Sequence, residues 1–225
     1  MFLDRVDAGK QLAKSLLQYA DRNDVIVLGI PRGGVPVAFE VAQALHAPLD
    51  ILLVRKLGTP GQKELAMGAI ASGGVRILNE EVVRDLGISE AELAAAISEQ
   101  EAELRRREEL FRGVRPPISV QDKIAILVDD GIATGSSMLA AIDAVRSLHP
   151  KKVVVATPVA PFHANARIRQ VADEFVCVLT PEWFFGISEF YERFPQTEDV
   201  EVRDLLGRAS GPQAVTAKAA TKTAA

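Results

Sequence analysis

The sequence predicts an α/β fold: a single domain with a central, mostly parallel sheet flanked by helices and with a small hood or hairpin arm. Short, continuously apolar runs alternate with helical patterns, as expected for parallel strands that are buried on both faces. The predicted strands are residues 24–30, 51–54, 124–129, 152–157 and 174–179. The chain has 225 residues, of which 48% are apolar, and this is ample for a hydrophobic core.

The first third of the chain has a strand-loop-helix-strand pattern. Residues 4–20 have helical spacing, a turn separates the strand at 24–30 from a helix at 35–45, and the strand at 51–54 ends on Arg55 and Lys56. Residues 57–75 contain five glycines. We therefore expect an open loop at Gly58–Gly61 and a hairpin arm formed by 65–70 and 75–78.

A long helix is predicted from the capping box of Ser89 and Glu92 to about Arg112. Its apolar stripe is thin, which leaves open a homodimer contact along it. The flanking glutamates indicate that the three arginines at 105–107 belong to a solvated face rather than to a nucleic-acid site.

Composition restricts the class of protein. The net charge is −4 and the pI is about 5.5, so the chain lacks the basic footprint of a nucleic-acid binder. No apolar run approaches the ~20 residues that span a bilayer, and the first residues do not resemble a signal peptide. The single cysteine, Cys177, fits a cytoplasmic location. We expect one domain at 2–208 and a disordered tail at 209–225, where residues are small and polar.

The chain is organised around residues 124–137, IAILVDDGIATGSS. A buried strand, Ile124–Val128, ends in the carboxylates of Asp129 and Asp130. Amides of the loop that follows, together with the next helix N-terminus, attract a phosphate group. The two carboxylates repel phosphate and suit sugar hydroxyls or magnesium, so the ligand indicated is a sugar phosphate. The residues expected to hold its phosphate are Gly131, Ile132, Ala133, Thr134, Gly135, Ser136 and Ser137.

A second candidate site follows the first strand, at Pro31-Arg32-Gly33-Gly34. Two glycine amides and a guanidinium can bind pyrophosphate, although an ordinary turn would have the same composition. Arg55 and Lys56 suit the same ligand or simply extend from a strand end into solvent.

The motif ILVDDGIATGSS resembles the signature of the type I phosphoribosyltransferases, and the segment from Pro31 to Gly34 resembles the pyrophosphate loop of that family. Further segments resemble stand-alone bacterial members, over roughly residues 2–205: FLDRVDAGKQLA, GIPRGGVPVA, VRKLGTPGQKELAMGAIASGGV and YERFPQTEDVEV. The resemblance implies that Asp129 and Asp130 hold the ribose hydroxyls of phosphoribosyl pyrophosphate, that Arg32 and Lys56 stabilise the departing pyrophosphate, and that Lys63 lies in a loop that closes over the site. It also implies an unusual backbone at Pro31–Gly34, with a cis Pro31–Arg32 bond left open, and Arg32 in the cleft of Asp130.

The function that this resemblance implies is transfer of phosphoribosyl to a nitrogenous acceptor with Mg²⁺. The phosphates of the substrate would supply most ligands of the metal ion, because Mg²⁺ takes few ligands from the protein. Ala133 stands where purine-salvage relatives have an acidic residue, which argues against the usual hypoxanthine or guanine acceptor. Six aromatic residues at 183–194 could form an acceptor hood or core packing. A regulatory protein that binds the same ligand without turnover remains the alternative.

Overall fold

The computed structural model describes residues 1–210, apart from the side chains of Lys63 and Glu64. The strands are β1 (Val25–Gly29), β2 (Leu49–Ile51), β3 (Val54–Thr59), β4 (Gln62–Ala71), β5 (Val75–Leu78), β6 (Ile124–Val128), β7 (Lys152–Val159) and β8 (Glu174–Leu179). The helices are α1 (Arg5–Lys14), α2 (Gly34–Leu45), α3 (Glu80–Asp85), α4 (Glu90–Arg112), α5 (Ser136–Arg146), α6 (Phe162–Arg169) and α7 (Asp199–Ala209).

The central sheet has five parallel strands in the order β2-β1-β6-β7-β8. This confirms the predicted α/β architecture. The chain leaves β1 toward β2 on one side, whereas β6 leads to β7 and β8 on the other side. The order therefore reverses between β1 and β6, and crevices at such points bind ligands in open α/β sheets.

Helices cover both faces of this sheet. One core cluster joins the sheet to α1, α2 and α7, and a second joins the opposite face to α5 and α6. Every residue of β1 and β6 is buried, which explains why both strands are continuously apolar.

The prediction of one strand at 51–54 was wrong. Strand β2 ends at Ile51, and β3 of a second sheet begins at Val54. The two intervening leucines are also buried, so the apolar run continues through the connection and hides it. As a result, Arg55 and Lys56 lie within the second sheet and not at the carboxyl edge of the first.

The second sheet is antiparallel, in the order β3-β4-β5, and its β4-β5 hairpin confirms the predicted arm. The expected open loop at Gly58–Gly61 was wrong, because Gly58 and Thr59 still pair with β4 and only a tight turn remains. Two register shifts beside Gly58 accommodate this glycine within the strand. The backbone of Lys63 belongs to β4, and its side chain lies outside the described part of the structure.

Helix α4 begins with the predicted capping box of Ser89 and Glu92 and ends at Arg112, as expected. Its apolar stripe packs against the main core of the same chain, and its members are partly or fully buried. A homodimer contact along this helix stays a prediction. The stripe residues are Leu93, Ile97, Leu104 and Phe111.

Helix α7 was not predicted from the sequence. Val202, Leu205 and Leu206 form its buried face, with the spacing of an amphipathic helix. The helix includes Ala209, the first residue of the predicted tail, and residues 211–225 lie outside the described residues. Within the described residues, no helix combines the length and the apolar character that a membrane span needs.

Candidate active site

The two carboxylates of the central motif follow β6 at the carboxyl edge of the sheet. The backbone N–H of Asp130 donates to Asp129 Oδ1 at 2.9 Å. Asp130 is 8% exposed, whereas Asp129 is only partly buried. The hydroxyl of Tyr191 donates to the Asp130 carbonyl at 2.5 Å, so the backbone between the carboxylates and the next loop is fixed.

Burial and the neighbouring Asp130 raise the pKa of Asp129 well above the ordinary carboxyl value. Burial also raises the pKa of Asp130, and the guanidinium of Arg5 opposes this shift. The pair therefore binds protons more tightly than free carboxylates do. Ligand hydroxyls or a cation would relieve the repulsion between the two charges.

The predicted phosphate loop connects this pair to α5. Ala133, Thr134, Ser136 and Ser137 are exposed, while Gly135 has a φ of 81° and directs the chain into the helix. Thr134 Oγ1 donates to Ser136 Oγ at 3.2 Å. The first N–H groups of α5 have no acceptor within their own helix, so the loop presents amides and hydroxyls on one surface.

The glycine pair of the second motif packs directly on the carboxylates. A Cβ added to Gly33 would lie 2.0 Å from Asp130 Oδ2, and one added to Gly34 would lie 2.7 Å from the Val128 carbonyl. The Pro31–Arg32 peptide bond is cis. The two motifs, almost 100 residues apart in sequence, therefore meet beside the switch point of the sheet.

The basic residues that were predicted to bind pyrophosphate differ from one another in their contacts. Arg32 Nη1 lies 3.4 Å from Asp199 Oδ1 at the start of α7. Arg55 is directed to α4, where its Nε donates to Gln100 Oε1 at 2.8 Å. Lys56 is exposed on β3. The place of Arg32 in the cleft of Asp130 thus stays a prediction.

Arg5, the first residue of α1, is a site residue that was not predicted from the sequence. Its Nε donates to Asp130 Oδ2 at 2.7 Å, and both side chains are only 11% exposed. A signal was available, because the first turn of a helix favours anions and a cation there is unusual. The sequence alone could not identify a partner 125 positions away.

The aromatic segment at 183–194 divides into two parts. Tyr191 and Phe194 pack with Phe2 in a small core cluster. Trp183 and Phe185 are 78% and 84% exposed, so core packing does not account for them. Ile187 packs so closely on the loop that a Cβ at Gly131 would lie 2.5 Å from its Cγ2.

The sequence is similar to those of known proteins. Residues 2–194 match the family described as phosphoribosyl transferase domain. Two curated proteins of Mycobacterium tuberculosis, each named "Putative phosphoribosyl transferase", are 51% identical over 209 residues, which is 93% of this chain and 47% of theirs. This chain therefore spans about half the length of those relatives.

One solved structure is similar to this chain over its own full length. The crystal structure of TT1426 from Thermus thermophilus is 39% identical, with a TM-score of 0.83, over 94% of this chain and 100% of that one. The family match covers most of the chain, and this structure has the same fold. The chain belongs to the phosphoribosyl transferase domain family.

Proposed function

We propose that this protein transfers the 5-phosphoribosyl group from phosphoribosyl pyrophosphate to a nitrogenous acceptor and releases pyrophosphate. Membership of the family supports transfer of this type. The observation that carries the proposal is the contact of Gly33 and Gly34 with the carboxylates of Asp129 and Asp130. A substrate bound there would have its ribose and its pyrophosphate beside the two motifs that suit them.

The proposed roles follow from the chemistry of each segment. Asp129 and Asp130 accept hydrogen bonds from the ribose hydroxyls, and the loop at 131–137 binds the 5′-phosphate through its amides and hydroxyls. The amides of Gly33 and Gly34 bind the pyrophosphate. Arg32 and Lys56 add positive charge as it departs. Catalysis in such a site consists mainly of positioning and electrostatic stabilisation.

Magnesium fits this arrangement as a companion of the substrate. Among residues 1–210, with the exceptions given above, no group of three or more His, Cys, Asp or Glu has metal-binding geometry. Mg²⁺ keeps several ligands from water and substrate phosphates, so it needs few from the protein. When bound, the ion would neutralise charge on the pyrophosphate.

The acceptor that the site supports is a planar nitrogenous base. Trp183 and Phe185 present exposed rings after β8, at the carboxyl edge where β6 also ends. Aromatic faces stack on planar rings. Ala133 offers no charge or hydrogen bond from its side chain, which argues against the acceptors of the usual purine-salvage members.

The test is an assay of pyrophosphate release from phosphoribosyl pyrophosphate and Mg²⁺ with a panel of purine, pyrimidine and nicotinate-type bases. We expect release that depends on one class of base, and formation of the matching nucleotide by mass spectrometry. Replacement of both Asp129 and Asp130 by Asn should abolish it. Because the chain spans about half the length of its curated relatives, calorimetry should also measure binding of phosphoribosyl pyrophosphate directly, without the need for turnover.

A non-catalytic binding protein is the second candidate. Two contacts favour it: Arg32 lies beside Asp199, and Arg55 donates to Gln100 of α4, so both cations already have partners within the protein. Binding of phosphoribosyl pyrophosphate without release of pyrophosphate for any base would support this candidate over the enzyme.

A further inference from the structure

Arg5 directly contacts the acidic pair, and the motifs discussed above give it no role. Its guanidinium has three partners. Nε donates to Asp130 Oδ2 at 2.7 Å, Nη1 donates to the Pro195 carbonyl at 2.6 Å, and the Phe194 ring lies 3.8 Å from Cζ. The planar donor fork of arginine is suited to such a site, whereas a lysine could not reproduce all three contacts.

The position of Arg5 is fixed by the elements around it. Phe2 forms a parallel bridge with Tyr191, and the adjoining backbone bonds hold Leu3 against Arg193. Phe2 is 1% exposed. The segment before α1 is therefore held against residues 190–193, and Arg5 enters the site from this junction.

The two carboxylates differ in their contacts with Arg5. Asp130 receives its hydrogen bond and lies against Gly33, where a Cβ would be 2.0 Å from Asp130 Oδ2 and 3.2 Å from Arg5 Nε. Asp129 is the more exposed of the two, and its Oδ1 accepts from the Asp130 amide. One carboxylate is thus packed between a cation and a glycine, and the other retains a surface toward solvent.

We propose that Arg5 is a positioning residue of the ribose site, which holds the Asp130 carboxylate against the Gly33 loop and leaves Asp129 as the carboxylate that receives the ribose hydroxyls. This inference rests on the proposed function, because it assigns separate tasks to two residues of the same site. Arg5 acts through Asp130 and does not itself contact the ligand.

The test compares affinity for ribose 5-phosphate, and for phosphoribosyl pyrophosphate with Mg²⁺, by calorimetry well below the unfolding temperature. We expect Arg5→Gln to weaken both by roughly tenfold to a hundredfold, the usual effect of removing a residue that orients a group of the site. Arg5→Lys should lose less, because it keeps the charge. The matched control is Arg193→Gln, which breaks a 2.8 Å pair with Asp4 at the same junction but away from the carboxylates. This control should bind like the wild type.

A double-mutant cycle separates positioning from a merely structural role. If Arg5 acts through Asp130, Arg5→Gln combined with Asp130→Asn should bind no worse than either single variant. Arg5→Gln combined with Asp129→Asn should show the product of the two single losses. Asp129→Asn alone should weaken binding more than Asp130→Asn alone.

The outcomes distinguish this inference from the proposed function. A wild-type protein that binds neither ligand would overturn both. Normal wild-type binding with unchanged or tighter binding by Arg5→Gln would overturn only the role of Arg5. Equal losses for the two Asp variants, with multiplicative effects in both cycles, would overturn the separate tasks of the carboxylates.

Discussion

At the scale of single residues, Gly33 has the strictest requirement in the site. Its φ of −61° is open to any residue, so the restriction comes from packing alone. Any Cβ here would lie 2.0 Å from Asp130 Oδ2, and the carboxylate would have to move. The glycine is needed because two loops approach each other and not because the backbone turns unusually at this residue.

Gly33→Ala should therefore weaken binding of phosphoribosyl pyrophosphate at least tenfold and destabilise the fold by about 1–3 kcal/mol, the usual cost of overpacking. Calorimetry and urea unfolding measure the two effects. Gly207→Ala in α7 is the control, because a Cβ there meets nothing within 4 Å. It should stabilise the helix by about 0.5–1 kcal/mol. Unchanged binding by Gly33→Ala would contradict the packing described here.

The raised pKa of Asp129 makes stability depend on pH. Since the folded protein binds this proton more tightly than the unfolded chain, the associated stability is present at low pH and is lost as pH rises above about 4. Asp129→Asn removes this loss. We expect its unfolding temperature to exceed that of the wild type at pH 8, by about 2–4 °C for each kcal/mol relieved, and to match it near pH 4.

Calorimetric unfolding across this pH range measures the difference. Asp204→Asn is the matched control, because Asp204 is an exposed partner of Arg208 on α7. It should show no gain that increases with pH. A constant difference between Asp129→Asn and the wild type at all pH values would argue against repulsion between the two carboxylates.

Residues with a local signature could be predicted from the sequence, and residues defined by a distant partner could not. Asp129, Asp130 and the two glycines stand in ordered motifs after apolar strands, and the structure brings these motifs together. Arg5 depends on contacts with Asp130 and Pro195, which lie 125 and 190 positions away. No spacing rule connects such pairs before the fold is known.

At the scale of elements, the C-terminus of α4 is anchored by a buried ion pair. Arg112 Nε donates to Asp50 Oδ1 at 2.7 Å, and Nη2 donates to the Ile51 carbonyl at 2.7 Å. Both charged side chains are 6% exposed. This pair fixes the long helix to the edge strand β2, next to the connection between the two sheets.

Arg112→Leu should destabilise the protein by about 3–5 kcal/mol, because it leaves Asp50 buried without its cation. Chemical unfolding gives the value. Glu108→Ala is the control, since it removes only the outer, partly exposed partner of the same arginine, at 2.8 Å, and should cost less than about 1 kcal/mol. Similar losses in the two variants would show that the buried pair is not the main anchor.

Elements with complete local signals were predicted most accurately. The capping box of Ser89 and Glu92 placed the start of α4. The division between β2 and β3 was missed, because burial continues through the connection and a strand boundary there depends on which sheet each residue joins. Helix α7 had a detectable apolar spacing that was not assigned.

At the scale of the whole molecule, the two sheets differ in how deeply they are buried. All positions of β1 and β6 are buried, whereas β3 and β5 each include partly buried and exposed residues. Amides of β1 and β6 can exchange only through large-scale opening, while the smaller sheet can open locally.

Native-state hydrogen exchange should therefore find the slowest amides in β1 and β6, and clearly faster exchange in β3 and β5. Mass spectrometry of proteolytic fragments resolves these segments. The internal control is β2, which lies at the edge of the parallel sheet and should be intermediate. Equal protection of both sheets would show that the molecule opens as a single unit.

The junction of Phe2 with Tyr191 also has a consequence for synthesis of the chain. Ribosomes produce the N-terminal segment first, yet its partner segment and the Pro195 carbonyl that receives Arg5 emerge only after nearly 200 residues have been made. Until then, a nascent chain can form β1, α2 and even the acidic loop, but Asp130 lacks the cation that Arg5 supplies. A ligand of the proposed ribose site can consequently stabilise the chain only after Pro195 has been made, and earlier stages of folding proceed without help from it.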